Sequence, residues 1–246
     1  MEKMNISPLI EQHKTMADRI YHQLKEDIVK GGLLQGQRIG ETNLAKKYNT
    51  SRGPLREALQ RLEGVHLIER IPNAGCRVVS IDYQKARELY QVRELIEGYA
   101  ARLATIAMSQ ADIDGLRSLM ENHQEMVMRS DGAAYVQKEG NHDFHYYIFS
   151  RCKNEWLVNC ITNNIYYLMR MCRLNLSHRT PSRPLLALKE HNGIVEAIEN
   201  RDPDLVEMLM RRHIDTAWKA LEKIIGGDAM PEGELIPDKR VGSGLV

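Results

Sequence analysis

The spacing of apolar residues predicts three helices at the start of the chain. Apolar residues recur three or four positions apart over residues 16–29, 41–48 and 52–64, as on the buried face of a helix. In the third segment Leu55 and Leu62 share one face with the two apolar residues that lie between them at helical spacing. We expect that face to be buried.

The helical period ends after residue 64. Residues 67–71 and 76–81 are predicted strands, and the turn between them contains Asn73 and Gly75, which readily adopt positive φ. A helix, a helix–turn–helix and a hairpin in this order predict a winged helix–turn–helix unit.

From residue 82 onward nearly every segment has helical spacing. The predicted helices span residues 82–108, 110–129, 132–149, 155–176, 184–199 and 203–225. Ser109 and Asp202 are placed to cap two of them. The predicted fold class is mainly α, with a winged helix–turn–helix domain over residues 1–81, an all-helical bundle over residues 82–225 and a flexible tail over residues 226–246.

Composition is that of an ordinary globular protein, with 43% hydrophobic and 27% charged residues. No apolar run approaches the about 20 residues that a membrane helix needs, and the N-terminus lacks the apolar core of a signal peptide. The four cysteines form no C-x-x-C pair and are too few for a disulfide scaffold. We therefore expect a cytoplasmic protein with no membrane partner.

The net charge of +1 hides a difference between the two predicted domains. Residues 1–81 contain 13 basic and 9 acidic residues, a balance of +4, whereas residues 82–246 contain 21 and 24, a balance of −3. A basic first domain indicates contact with nucleic acid. A near-neutral whole chain disfavours a general nucleoid protein.

Two arginines on the third predicted helix have the chemistry that DNA reading requires. Arg52 and Arg56 lie four residues apart, near the start of the helix and away from its apolar face. A guanidinium group forms a bidentate contact with guanine in the major groove. Ser51 and Gly53 are small, so backbone N–H groups at the helix start can approach a phosphate. The alternative is a solvated basic face on a surface helix.

Several stretches of the first domain form one continuous pattern: Arg38-Ile39-Gly40-Glu41, Leu44-Ala45, Ser51 to Leu59, Arg61-Leu62-Glu63 and Pro72 to Val78. With this pattern the domain resembles the DNA-binding domain of GntR-type bacterial transcription regulators. The resemblance implies contacts with double-stranded operator DNA through Arg38, Ser51, Arg52, Gly53, Arg56, Asn73 and Gly75. His66 departs from the family pattern, which usually has Gly at that position.

Three histidines, His145, His191 and His213, fall within predicted helices of the second domain. Asn141 lies four residues before His145, a spacing that would place both side chains on one helical face within reach of one metal ion. Imidazole suits Zn, Ni, Fe or Cu, and an amide oxygen is an acceptable further ligand. Because nine histidines are scattered along the chain, ordinary surface or core histidines are the alternative.

A second pattern in the helical domain comprises Val92 to Glu97, Asn141 with Phe144-His145, Glu190-His191 with Ala197-Ile198, and Met208 with His213. Over residues 85–225 the domain resembles the FCD effector-binding domain of the FadR subfamily of GntR regulators. Many members bind a divalent metal through one Asp and three His, which implies Zn or Ni bound by Asn141, His145, His191 and His213. Asn141 stands where Asp is commoner and supplies no charge. Asp143 lies two residues further along and is expected on a different helical face.

The resemblance also implies a small organic acid effector bound near the metal. Arg93 can bind a carboxylate through two N–H groups, although an ion pair with Glu97 one turn away is an equal alternative. Tyr167, Arg170 and Arg173 are further candidate effector contacts.

Within the subfamily, a narrower likeness lies in residues 39–79 of the first domain and in four stretches of the helical domain: Glu139-Gly140, Asp143 to Tyr146, Arg170 to Arg173 and Leu209 to Ile214. They are similar to those of regulators of propionate catabolism. That resemblance implies a tricarboxylate effector such as 2-methylcitrate.

These expectations describe a ligand-responsive transcription regulator and not an enzyme. The family resemblance implies a homodimer, most often a repressor, that reads an inverted repeat. The alternative from another class is a metal-dependent helical phosphohydrolase, because His142-Asp143 with His123, His191 and His213 faintly resembles HD-type enzymes. The chain has no H-E-x-x-H helix, nucleophile elbow or phosphate-binding P-loop, which disfavours that alternative.

Overall fold

The structure of the protein, a computed structural model, describes residues 15–72, 75–132, 135, 137–180 and 183–226, with the backbone alone at residues 175–179. The chain divides into two compact units, with the boundary between Ser80 and Ile81. The predicted flexible tail lies, after Gly226, outside the described residues.

The first unit has the order of elements that defines a winged helix–turn–helix. Its described elements are α1 (Met16–Val29), β1 (Arg38–Ile39), α2 (Glu41–Lys47), α3 (Arg52–Gly64), β2 (Ile68–Ile71) and β3 (Gly75–Val78). The apolar pattern predicted all of these except β1, whose two residues are too few to show a period.

A small antiparallel sheet with strand order β1-β3-β2 forms the wing. In this sheet Arg38 pairs with Arg77, and Ile39 pairs with Cys76. Cys76 and Val78 are buried and alternate with exposed residues, because successive side chains of a strand point to opposite faces. The sheet therefore presents one face to the core of the unit and the other to solvent.

The core of the first unit lies between α1 and α3. Ile20 and Leu24 of α1 and Leu55 and Leu62 of α3 are almost completely buried, as their spacing predicts. Burial of an aliphatic side chain of this size contributes about 1.5–3 kcal/mol. These contacts hold α3 in place and leave its opposite face exposed.

The second unit is helical, which confirms the predicted fold class. Its described elements are α4 (Tyr83–Ala107), α5 (Gln110–Arg129), a 3-10 turn (Gly140–His142), α6 (Phe144–Phe149), α7 (Glu155–Cys160), a π-helical turn (Ile161–Ile165), α8 (Tyr166–Arg179), α9 (Arg183–Glu199) and α10 (Pro203–Ile225). α10 packs along α4 and against α9, and α9 also packs against α5. Within the described ranges, none of the helices combines the length and the apolar character of a membrane span.

Two helix starts carry the caps that the sequence predicts. The Ser109 hydroxyl accepts from the Asp112 backbone N–H at 3.2 Å, and the Asp112 carboxylate accepts from the Ser109 N–H at 2.9 Å. The Asp202 carboxylate accepts from the Leu205 N–H at 3.0 Å. These bonds satisfy N–H groups that the first turn of a helix leaves unpaired, so the starts of α5 and α10 are well defined.

The segment before α6 differs from the prediction. A single helix over residues 132–149 is wrong, because the chain forms a 3-10 turn at Gly140–His142 and α6 begins only at Phe144. Asp143 lies between the two elements and caps α6, since its Oδ1 accepts from the Tyr146 backbone N–H at 3.1 Å. The turn begins with a φ of 68°, which a continuous right-handed helix does not contain.

The connection from α3 to β2 contains a left-handed residue. His66 has a φ of 60° at the position where the resembling regulators usually have Gly. A left-handed backbone costs an ordinary L-residue about 1–2 kcal/mol. Asn49, between α2 and α3, has a φ of 47°, but asparagine tolerates this region better than most residues.

We expect His66→Gly to raise the free energy of unfolding of the first unit by about 1 kcal/mol, because glycine relieves most of the left-handed strain. Amide hydrogen exchange of α1 and α3 in the full chain measures this free energy. The matched control is Asn49→Gly, for which we expect a smaller gain. Equal gains in the two variants, or a loss in His66→Gly, would contradict the assignment of strain to His66.

Candidate functional site

The predicted DNA-contacting arginines lie on the exposed side of α3. Nε of Arg56 donates to Glu41 at 2.8 Å, and Nη2 of Arg52 lies 3.5 Å from the Thr42 hydroxyl. Both partners belong to α2, so the second helix of the motif is held against the first. Ser51 occupies the N-cap position without a side-chain capping bond, and it is exposed. The start of α3 thus offers arginines and an exposed hydroxyl to a partner.

Small residues surround these arginines and the wing. A Cβ atom at Gly53 would meet no atom within 4 Å, so the packing of the unit does not require glycine there. Gly75 has equally open surroundings and a φ of 83° at the start of β3. Arg38 is exposed beside Arg77 in the sheet. The predicted wing-tip residue Asn73 lies outside the described residues.

Three buried histidines from three different helices meet inside the second unit. His145 lies on α6, His191 on α9 and His213 on α10, and one ring nitrogen of each lies within 4.8 Å of the other two. The His191 ring also stacks on Phe144, with ring centroids 3.8 Å apart. The fold therefore assembles the three histidines that the sequence singled out.

Two of these rings form hydrogen bonds with carboxylates through their Nδ1 atoms. Nδ1 of His145 donates to Oε2 of Glu97 at 2.7 Å, and Nδ1 of His213 donates to Oε2 of Glu190 at 2.6 Å. A carboxylate only accepts hydrogen bonds, so each ring carries its proton on Nδ1. The lone pair of each Nε2 is then available for a metal ion.

The burial of the cluster keeps its imidazoles neutral and its carboxylates ionised. Burial lowers the pKa of all three histidines, and that of His213 to about 4. Burial opposes ionisation of Glu97, but the Arg93 charge and His145 hold the pKa of that carboxyl below its usual value. Neutral imidazoles backed by carboxylates are the usual arrangement of metal ligands and their supporting residues.

The distance between two ligand nitrogens also fits a metal ion. Nε2 of His191 lies 3.2 Å from Nε2 of His213. Two nitrogens bound to one tetrahedral zinc at about 2.0–2.1 Å lie about 3.3 Å apart. A direct hydrogen bond between the rings would instead require a proton on Nε2 of His191. The donor set, its burial and this spacing fit a divalent cation.

Asn141 is not brought into this cluster. Its side chain is exposed and accepts from Nη1 of Arg151 at 3.3 Å. The prediction that Asn141 and His145 share one helical face is wrong, because the 3-10 turn ends before α6 begins. Asp143, expected on a different face, instead lines the cavity beside the histidines, and both of its oxygens accept from Arg173, at 3.2 and 2.6 Å.

The adjacent His142 and Asp143, on which the phosphohydrolase alternative rests, lie in different environments. The His142 side chain is exposed, whereas Asp143 is buried and paired with Arg173. They do not form the joint metal-binding pair that such an enzyme needs, and that alternative is not favoured.

The three histidines line a cavity that is partly open to solvent, with about 60 Å³ available to the centre of a water-sized molecule. Its wall contains four arginines, Arg93, Arg170, Arg173 and Arg183, and an apolar side formed by Leu174, Pro184, Ala187 and Ala217. Nη1 of Arg93 is buried and has no hydrogen-bond partner among the described residues. Converging guanidinium groups beside an apolar wall suit a small organic anion.

The structure separates one predicted effector residue from this cavity and adds another. Tyr167 is not among the lining residues, and its hydroxyl donates to Glu139 at 2.8 Å. Arg183 lines the cavity and donates to Glu190 at 2.8 Å, although the sequence did not single it out. A cation at the start of a helix opposes the helix dipole. The position of Arg183 at the start of α9 is therefore the signal that could have indicated its role.

Comparison with known families accounts for both units. Residues 16–78 match the family described as bacterial regulatory proteins, gntR family, and residues 88–216 match the FCD domain. The two resemblances inferred from the sequence motifs are confirmed.

Curated relatives and a solved structure extend the likeness over most of the chain. The chain is 25% identical over 223 residues to the HTH-type transcriptional repressor RspR of Escherichia coli, covering 90% of this chain and 95% of that protein. It is 26% identical over 240 residues to the Glc operon transcriptional activator of Escherichia coli, with coverages of 87% and 92%. The structure of E. coli McbR/YncC has the same fold, with a TM-score of 0.71 at 20% identity, over 86% of this chain and 99% of that one.

We expect the purified protein to bind about one Zn²⁺ or Ni²⁺ per chain, and His145→Ala or His213→Ala to weaken that binding more than 100-fold, because each removes a ligand. Equilibrium dialysis with elemental analysis measures the metal content. The matched control is His142→Ala, an exposed histidine of the same segment, which should bind metal as the unaltered protein does. Full metal content in His145→Ala would contradict the site.

Proposed function

We propose that this chain, which belongs to the gntR family of bacterial regulatory proteins and is a transcriptional regulator with an FCD domain, changes its operator affinity when a small organic acid binds beside a metal in its second unit. The observation that carries the proposal is the cavity that the three buried histidines share with four arginines. The protein is a DNA-binding regulator and not an enzyme, and it acts on DNA in the cytoplasm.

DNA reading is the task of the first unit. The start of α3 enters the major groove, where Arg52 and Arg56 contact base edges and Ser51 and Gly53 allow the backbone to approach a phosphate. Arg38 contacts the DNA backbone, and the hairpin between β2 and β3, with Gly75 at its edge, enters the minor groove. The open space at Gly53 supports this arrangement, since the unit itself has no need of a glycine there.

The regulator acts as a homodimer. α4 carries an exposed apolar stripe formed by Val92, Leu95, Tyr99 and Ile106, of which Ile106 is 64% exposed. Clustered apolar side chains on a surface are typical of an interaction face. A second copy covers this stripe, and the resulting two-fold dimer reads an inverted repeat in the operator.

The metal, Zn²⁺ or Ni²⁺, is held by His145, His191 and His213. When bound, it supplies a positive charge and an open coordination position for an oxygen ligand. Asp143 lies beside the cavity and is paired with Arg173, and Arg93 and Arg183 are likewise paired with carboxylates, so a bound metal would supply the excess positive charge of the site. A fourth protein ligand from Asn141 has no support, because Asn141 is exposed.

The effector is a small acid with more than one carboxylate. One carboxylate binds near the metal, and a second binds Arg93, whose Nη1 is otherwise unpaired in the described structure. Arg170 and Arg173 provide further guanidinium groups beside the acid, and the apolar side of the cavity faces its carbon chain. A tricarboxylate such as 2-methylcitrate matches these features, in keeping with the resemblance to propionate regulators.

Effector binding alters DNA binding through α4. This helix follows the boundary between the units in the sequence and carries Arg93 and Glu97, which contact the effector site and His145. An acid that favours one position of α4 shifts the population of DNA-competent dimers. Repression is the mode we propose, as in the repressor RspR, although the Glc operon relative is an activator.

We expect Arg52→Ala and Arg56→Ala each to weaken operator binding by about 1–3 kcal/mol and to affect random DNA less, because base contacts are lost. Fluorescence anisotropy on a site selected from random sequence, which we expect to be an inverted repeat, measures both affinities at one salt concentration. Arg129→Ala, an exposed arginine of the second unit, is the control. Equal losses on operator and random DNA would assign the two arginines to phosphate contacts only.

We expect an organic acid to raise the melting temperature of the Zn²⁺-loaded protein, by an amount equivalent to about 2.7 kcal/mol at 100 times its dissociation constant. The acids compared are 2-methylcitrate, citrate, lactate and gluconate. Arg93→Lys keeps the charge beside Glu97 but loses the guanidinium fork, so the affinity for the acid should fall about tenfold. The control is Arg129→Lys. Unchanged affinity in Arg93→Lys would exclude Arg93 as an acid contact.

A further inference from the structure

A fourth buried histidine lies next to the cluster of three histidines and has no part in the function proposed above. His123 of α5 is only 2% exposed, and its two ring nitrogens each have a partner. Nε2 lies 3.1 Å from the backbone carbonyl oxygen of His142, and Nδ1 lies 2.9 Å from the hydroxyl of Tyr135. The same hydroxyl lies 2.9 Å from Nδ1 of His191. These groups form one chain of hydrogen bonds from a backbone carbonyl to a metal ligand.

The direction of the first two bonds follows from the carbonyl at the end of the chain. A carbonyl oxygen only accepts, so Nε2 of His123 carries a proton and donates to His142. Burial lowers the pKa of His123, so the ring is neutral and has a single proton. Nδ1 of His123 is therefore an acceptor, and the Tyr135 hydroxyl donates to it.

The direction of the third hydrogen bond, between Tyr135 and His191, then follows. A phenol has one proton, and Tyr135 uses it toward His123. Toward His191 the Tyr135 oxygen acts as an acceptor, so Nδ1 of His191 carries the proton. Nε2 of His191 is left with its lone pair 3.2 Å from Nε2 of His213, which excludes a direct hydrogen bond between these two neutral rings.

We propose that Tyr135 and His123 are positioning residues that hold His191 in the Nδ1–H tautomer and so direct its Nε2 lone pair to the metal. Glu97 and Glu190 fix the Nδ1–H tautomer of His145 and His213 and bring a negative charge to each ring. Tyr135 and His123 fix this tautomer of His191 without adding another negative charge to a cavity whose arginines are already paired with carboxylates. This inference rests on the metal site of the proposed function.

The chain also links the ligand His191 to the 3-10 turn. The carbonyl that begins the chain belongs to His142, the last residue of that turn, and Asp143 follows it directly. The Gly140 N–H at the start of the turn donates to the Tyr166 hydroxyl at 3.2 Å. A turn held at both ends provides a fixed acceptor, which the tautomer of His191 requires.

The first experiment measures Zn²⁺ affinity by competition with a chromogenic chelator. Tyr135→Phe removes the hydroxyl and keeps the ring, and we expect a loss of about 10–100-fold, the range found for residues that support metal ligands. Tyr147→Phe is the matched control, because the Tyr147 hydroxyl donates to the Asp112 carbonyl outside the cluster. Equal affinity in Tyr135→Phe and the unaltered protein, or an equal loss in Tyr147→Phe, overturns the proposal.

The second experiment reads the tautomers directly in the metal-free protein, by long-range ¹H–¹⁵N correlation of ¹⁵N-labelled histidine. We expect His191 as Nδ1–H and His123 as Nε2–H. In His123→Phe the Tyr135 hydroxyl no longer donates to residue 123 and can donate to Nδ1 of His191, so His191 should change to the Nε2–H tautomer and Zn²⁺ affinity should fall at least about tenfold. His142→Ala, which keeps the carbonyl, should change neither.

These outcomes distinguish the positioning role of Tyr135 and His123 from the metal binding of the proposed function. His191 as Nε2–H in the unaltered protein, or a lower affinity in His123→Phe without a change of tautomer, overturns the positioning role. If the unaltered protein binds no Zn²⁺, the metal of the proposed function is lost, while the tautomers in metal-free protein still decide whether His123 and Tyr135 orient His191.

Discussion

The second unit depends on one constraint, which is that a polar group removed from water must find a partner inside the protein. Its centre buries three histidines that face one another, an arrangement that is unfavourable unless each ring is neutral and a cation can satisfy the lone pairs. Glu97, Tyr135 and Glu190 hold the three Nδ1 atoms. Arg93 and Arg183 pair in turn with the two carboxylates. The groups around the three histidines therefore determine which ring nitrogens carry protons, and so which nitrogens can bind a cation.

The arginines that pair with these carboxylates also explain why the cavity suits an anion. The arginines that compensate the carboxylates also line the cavity, so the groups that orient the metal ligands belong to the same network as those that would bind an acid. Because α4 carries both Arg93 and Glu97, occupancy of the cavity and the position of one long helix are physically connected. Under the proposed function, sensing would require no separate relay beyond these contacts.

Much of the fold could be predicted from local pattern, because helix stripes, caps and turn residues are properties of neighbouring positions. The buried face of α3 and the caps at Ser109 and Asp202 are examples. The prediction of a single helix over residues 132–149 was wrong, because the chain turns at Gly140 and the α-helix begins only at Phe144. That error supported Asn141 as a metal ligand beside the family resemblance, since a helical spacing argument holds only while the helix is unbroken.

The sequence by itself determined the two-domain order, the arginines on α3 and the identity of the three histidines. Motifs and periodicity depend on residues that are close together in the sequence, so they can be recognised without the fold. Only the tertiary structure decided which side chains stand behind those histidines. Tyr135 and His123 come from a loop and from α5, and nothing in their spacing relates them to His191 on α9. Side-chain contacts across the core depend on how the helices pack, and no local sequence pattern gives the distances between packed helices.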